Sequence, residues 1–340
     1  MTLLEQRYRF ILKMLPAFYR AEREEEMVEA FLQGAGPDDD GHSARPSWGE
    51  VASIAALAIR IRLGGIGAAP RSRAVGDAVR LAALLGLGYQ AAISWITIVF
   101  SLRALGYRPG QSPLIAPGGQ ASELVSIVES LVWIAAFAAL TLGKVRAAKL
   151  LGGLGLTYVL VMLGIDILTW PRSVIDSGPY VLVIVVPVAA LLTAYHRDAP
   201  VRRSPQLSAL PLSLAAIYIA IALAFTNAWG TAAAPSQPTM WIAGWIDPHS
   251  VTAAALLIAG LLSLTRKTRP AWRLALAVVA LPIAAARSPL FLLGAAGPMQ
   301  PYTITLIIQC SALLILCLVL TVASLRALPR PVQLPLRGRN

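Results

Sequence analysis

Glu129, Asp166 and Arg287 each interrupt a long apolar run, and Gln309 interrupts a fourth. An ionisable side chain in hydrocarbon costs about 3 kcal/mol or more even on insertion scales, so such residues are rare without a partner. Counted at 1.5 Å per residue, all four fall roughly 5 to 12 Å inside the same boundary of their runs. Two acids, one base and an amide at a common depth predict a buried polar network. Two readings of it stay open. In one, Arg287 pairs with a single carboxylate and holds helices together while other polar ends snorkel to water. In the other, the group is a polar site for a ligand, proton or ion, open to the outer face.

Soluble-enzyme chemistry finds no support. The chain has no GxxxxGK[ST] loop, no GxGxxG, no HExxH and no GxSxG elbow. No catalytic residue, enzymatic activity or cofactor is expected. His42, His196 and His249 are far apart in sequence without metal-ligand spacing, so they read as solvated loop residues. Cys310 and Cys317, seven positions apart in one run, lie roughly 10 Å apart along a helix, too far to bridge.

The elements that must position these groups are membrane helices. The 340 residues are 57% hydrophobic and 14% charged, with mean hydropathy +0.67, outside the range of soluble domains. Apolar runs predict about eight transmembrane helices, over residues 81–102, 122–142, 150–170, 179–195, 207–227, 249–265, 273–294 and 302–325. The seventh is expected to break at "ARSP", 286–289. In the third, Ala148, Gly152 and Gly155 are spaced for close helix approach.

The net charge of +12 sits mostly in short connections, where it reports orientation rather than nucleic-acid binding. Lys144, Arg146, Lys149, then Arg202, Arg203, then Arg266, Lys267, Arg269 predict inner loops. Both termini, including a basic tail at 328–340, are then cytosolic, and the basic loops face anionic lipid headgroups. The first residues have no signal-peptide core and cleavage site. Trp229, Trp241 and Trp245 mark one outer loop as interfacial. Abundant Arg, Ala, Gly and Pro suggest a high-GC bacterium, hence a multi-pass protein of a bacterial plasma membrane.

Residues 1–75 are different. Leu4, Tyr8, Ile11, Leu12 and Leu15 share one helix face over 3–15, and Pro16 ends that helix. A second helix is predicted over 17–33, with its run of Glu on the solvated side, and a third over 48–62. The third opens on "SWGE", in which Ser47 and Glu50 form a capping box. The expectation is an all-α membrane protein: a small cytosolic three-helix module followed by a transmembrane bundle over 76–327.

The order "RYRFILKMLPAFYRAEREEEMVEAFL", a Gly, Pro and Asp linker, then "SWGEVASIAALAIRIRLGG" resembles the N-terminal module of a large group of actinobacterial integral membrane proteins. That module is similar to the alpha-helical signalling domain associated with PadR-type helix-turn-helix regulators, and to the prefix of some ABC exporter permeases. Tyr8, Arg9, Leu12, Leu15, Pro16, Tyr19, Arg20, Glu25, Glu26, Met27, Phe31 and Trp48 carry the likeness, which covers residues 1–64. It implies a regulatory domain that binds a PadR-type regulator or a second membrane subunit. Tyr8, Arg9, Tyr19, Arg20, Glu25, Glu26, Met27, Phe31 and Trp48 would be its partner-binding residues. Exporter versions carry a large extracytoplasmic domain, and no outer loop here is long enough for one.

Three functions follow as expectations. The first is a regulatory or signalling membrane protein. The second is a permease or transporter subunit for a small or lipophilic substrate, working through Glu129, Asp166 and Arg287. The third, an enzyme acting on a lipid-linked substrate, has no catalytic cluster of its own.

Overall fold

The computed structural model describes residues 3–34, 46–65, 67–106, 119–169, 173–196, 207, 209–229, 244–266, 268–294 and 301–329, without the side chains of 173–177, 225–229, 289–294, 301 and 302. The helices are α1 (Leu3–Leu12), α2 (Ala17–Gly34), α3 (Trp48–Arg62), α4 (Pro70–Ala104), α5 (Gln120–Thr141), α6 (Val145–Thr169), α7 (Ser173–Ala194), α8 (Leu210–Trp229), α9 (Pro248–Thr265), α10 (Pro270–Gly294) and α11 (Pro301–Ala327). No strand occurs among the described residues. The chain divides into two compact units, one of residues 1–77, 196–199 and 328–340, the other of 78–195 and 200–327.

In the second unit, six helical stretches are long and apolar enough to cross a membrane, drawn from α4, α5, α6, α9, α10 and α11. These are the helices of a multi-pass membrane protein. Two more apolar stretches, Gly178–Ala194 and Leu210–Ala224, are shorter. Leucines such as Leu150, Leu154 and Leu168 on α6 point outward, with Leu168 85% exposed, a surface suited to lipid and not to water. α10 packs on α7 and α11, α9 lies against α10 and α11, and α6 lies between α5 and α7.

Lipid tails are as apolar as leucine, so small residues and backbone approach must supply the packing between such helices. Ala148, Gly152 and Gly155 are all buried on α6. A Cβ on Gly155 would stand 2.7 Å from the Trp133 ring of α5. Likewise a Cβ on Gly86 of α4 would stand 2.5 Å from Pro187 of α7. Pro187 cannot donate to the carbonyl four residues back, that of Val183. Gln90 of α4 donates its Nε2 to that oxygen at 3.4 Å.

The break expected at "ARSP" does not occur: α10 runs on to Gly294. Pro289 leaves the Ala285 carbonyl without its helical donor. The hydroxyl of Ser288 donates to that carbonyl at 2.7 Å and completes the ladder.

In the first unit, Tyr8, Leu12, Leu15, Val28, Ile54, Ala58 and Ile61 form a core shared by α1, α2 and α3. Burying each large aliphatic side chain there contributes roughly 1.5–3 kcal/mol. The first helix stops at Leu12, earlier than the expected Leu15. Pro16 excludes α geometry from the residue before it, so Met14 and Leu15 close instead on Ile11 and Leu12 with three-residue spacing. At the start of α3, Glu50 N–H donates to Ser47 Oγ and the Ser47 N–H to the Glu50 carboxylate. Arg62, at its end, donates to the Met14 carbonyl at 2.8 Å.

Candidate functional site

Arg287 of α10 is 1% exposed at its side chain, the largest fully buried residue among those described. Its Nη1 and Nη2 each donate to one oxygen of Asp247 at 3.1 Å, a two-pronged pair. Asp247 is the N-cap of α9, where Pro248 fills the first helical turn and the backbone N–H groups of His249 and Ser250 donate to Oδ1 at 2.9 and 3.1 Å. The carboxylate thus meets the positive end of a helix and a guanidinium together.

Ser250 closes the cluster. Its Oγ accepts from Arg287 Nη2 at 2.7 Å. Its hydroxyl proton has the Asp247 carboxylate, the Gly244 carbonyl and Gln309 Oε1 within reach. Gln309 of α11 donates its Nε2 to the same Gly244 carbonyl at 3.1 Å. One polar knot therefore joins the cap of α9 to the later part of α10 and to α11. Next to it, Tyr89 of α4 bonds His249 Nδ1 at 2.5 Å, and the Tyr180 ring of α7 stands 5.4 Å from the imidazole.

Of the expected quartet, the structure brings Arg287 and Gln309 together through Ser250, and leaves Glu129 and Asp166 out. Glu129 sits half-buried on α5, accepting from Trp133 Nε1 of its own helix at 3.4 Å. Asp166 is half-buried near the end of α6, a helix that packs chiefly on α5 and α7. The partner of Arg287 is Asp247, which stands just before an apolar run and not within one. A signal for it was present: Asp followed by Pro directly before a helix is a strong start, and a capping Asp is placed to face a neighbour. His249 is likewise no solvated loop residue, because the first turn of α9 carries it into contact with Tyr89 and Tyr180. Nothing local in the sequence marks those partners, since the pairing spans 160 positions.

Chemically, the carboxylate is saturated with donors and its charge is matched. It serves poorly as a base and well as a clamp. Both cysteines are buried and free, with Cys310 Sγ donating to Ala284 and Cys317 Sγ to Ala277 across the α10 and α11 contact. No group of three His, Cys, Asp or Glu suited to a metal ion occurs among the described residues.

The residues carrying the N-terminal resemblance divide into two sets. Tyr8 is buried and stacks on Phe31, centroids 4.0 Å apart and planes within 1°. Tyr19 and Met27 pack around the same core. These four serve the interior, adding aromatic and thioether mass to the aliphatic core of Leu12, Leu15, Val28, Ile54 and Ile61. Arg9 donates to both oxygens of Glu25 at 2.8 Å and to Glu5 at 3.0 Å, with Glu24 at 3.6 Å. The bonds from Arg9 hold the Glu25 carboxyl below its usual range, and the bonds to Glu25 and then Glu5 push the Arg9 guanidinium up. Burial, followed by the charge of Glu50, raises the Tyr8 hydroxyl. Arg20 is half-buried, whereas Glu25, Glu26 and Trp48 are exposed, Trp48 by 88%. Phe10, outside the expected set, is 70% exposed on α1. Its position off the Leu4, Tyr8 and Leu12 stripe was the signal for it. His42, Trp241 and the tail from 330 lie outside the described residues.

No family model, curated protein or solved structure matches this chain.

Proposed function

We propose that this chain is a regulatory or signalling integral membrane protein, in which the N-terminal helical unit couples the bundle to a soluble regulator or a second subunit. The observation that carries the reading is the division of α2. Its apolar side is spent on the core with α1 and α3, while Glu22, Glu25, Glu26 and Glu29 face outward in an acidic row. An exposed row of acids on a unit with its own core fits a basic partner, and DNA-binding regulators are basic. The bundle is proposed to cross a bacterial plasma membrane eight times, counting the two shorter apolar helices, with both termini in the cytosol as the Lys and Arg distribution favours. Transport through Glu129, Asp166 and Arg287 has less support, since Arg287 spends its charge on Asp247.

The test is co-sedimentation. Vesicles carrying the full chain are mixed with a purified PadR-type regulator. Wild-type vesicles are expected to retain the regulator, and a Glu22→Gln, Glu25→Gln, Glu26→Gln variant to lose at least about tenfold of that retention at low salt. Equal retention by both, or none by either, overturns the proposal.

A further inference from the structure

The first unit has a second, chemically opposite face. Leu3, Arg7 and Phe10 recur at helical spacing on α1, away from the Leu4, Tyr8 and Leu12 core stripe. They line one open groove with Trp48 and Val51 of α3. Leu3 is 50%, Phe10 70% and Trp48 88% exposed, far more aromatic and aliphatic surface than a solvated helix pair needs.

Two cations and one acid flank this groove. Arg7 lines it, and the Lys13 ammonium lies 5.5 Å from the Phe10 ring centroid. Glu50, at its edge, is bonded to the Ser47 N–H. Glu5, Glu24 and Glu25 lie with Arg9, which falls on the other side of α1. Apart from the bonded Glu50, the acids named here thus lie away from the exposed apolar groove. We propose that the α1 and α3 face docks on the anionic headgroup surface of the bilayer, with Phe10 and Trp48 as interfacial anchors and Arg7 and Lys13 as headgroup contacts.

Three physical features favour lipid as the occupant. Trp and Phe flanked by cations is the composition that seats amphipathic helices at the headgroup boundary. Neither the apolar nor the electrostatic part alone gives firm attachment, and this face carries both. Residues 63–69 are all that separate α3 from α4, a helix apolar enough to span, so a seven-residue connection tethers the unit to the bilayer. Tethering at that range raises the effective concentration of the surface, so a weak docking energy suffices. Docking requires no soluble partner and leaves the acidic side of α2 free.

The experiment uses the full chain in nanodiscs. Gln6 is exposed and lines the groove without anchoring it. A Gln6→Cys reporter carrying an NBD fluorophore, in a Cys310→Ala, Cys317→Ala background, is read by quenching from brominated acyl chains. Strong quenching is expected in discs one-third phosphatidylglycerol, and weak quenching in pure phosphatidylcholine. Arg7→Gln and Lys13→Gln should each lower the docked-to-undocked ratio about fivefold. Phe10→Gln with Trp48→Gln, exposed positions whose change spares the core, should abolish quenching. Arg23→Gln, the same charge change on α2, should alter nothing. The proposal fails if the reporter is unquenched in both lipids, as for a face reserved for protein, or if Arg23→Gln acts as strongly as Arg7→Gln.

Discussion

Arg9 and Arg287 both face carboxylates in two-pronged geometry, yet they do different work. Arg9 lies at a solvated surface, sharing three glutamates of which Glu25 is 80% exposed. Water already satisfies those charges in the unfolded chain, so the pair fastens α1 to α2 without deciding whether they form. Their hydrophobic core decides that. Arg287 is enclosed, and one carboxylate on a helix cap matches its charge. There the pair is not a large net gain, because desolvation consumes most of the attraction. What it creates is dependence: each partner is tolerable only while the other remains. The same two functional groups give an adjustable latch in one unit and an obligatory lock in the other.

Breaking one half of the lock should have the largest effect. Asp247→Ala leaves a buried guanidinium without its counter-charge and is expected to cost about 3–5 kcal/mol, read as an earlier midpoint in an SDS titration of the micellar protein. Asp247→Leu combined with Arg287→Met removes both charges and should recover most of that loss. If the double variant is no better than the single one, the contrast with Arg9 is wrong, and the cluster contributes direct stabilisation.

Packing gives the next largest effect. Gly155→Leu drives a side chain into the Trp133 ring and should cost about 1–3 kcal/mol in the same titration. Gly153→Ala, two residues earlier on α6, meets nothing within 4 Å and should be neutral or stabilise by up to about 1 kcal/mol through helix propensity. Equal losses at both sites would mean that α6 is held by something other than close approach to α5.

These cases also explain what was legible in the sequence. Apolar length revealed the helices, and the small residues at 148, 152 and 155 revealed a packed face, because both are written in short local periods. The Ser47 and Glu50 cap was legible for the same reason. Arg287 and Gln309 were found because polar groups are conspicuous in an apolar run. Asp247 escaped because it sits two residues before such a run, where an acid costs nothing locally. Glu129 and Asp166 misled because depth along a helix says nothing of which way round the helix a residue lies. The Tyr89 and His249 contact is tertiary, joining helices that no linear pattern relates.

The latch should show the smallest effect and a distinctive pH dependence. The Arg9 bonds lower Glu25 below its ordinary value of 4.5, so the stabilisation is fully present above that pH and is lost as pH falls through the lower folded value. Hydrogen exchange of α1 and α2 amides, compared between the parent and Glu25→Gln, should therefore show extra protection in the parent at pH 7 and a vanishing difference in acid. About 1 M salt at pH 7 should also erase the difference, because the Debye length then falls to about 3 Å and screens an exposed pair. The cost of Asp247→Ala should persist in the same salt, since Arg287 is almost wholly buried and its charge is screened far less. A Glu25 effect that survived salt would place that pair out of water too, and the two arginines would then differ only in degree.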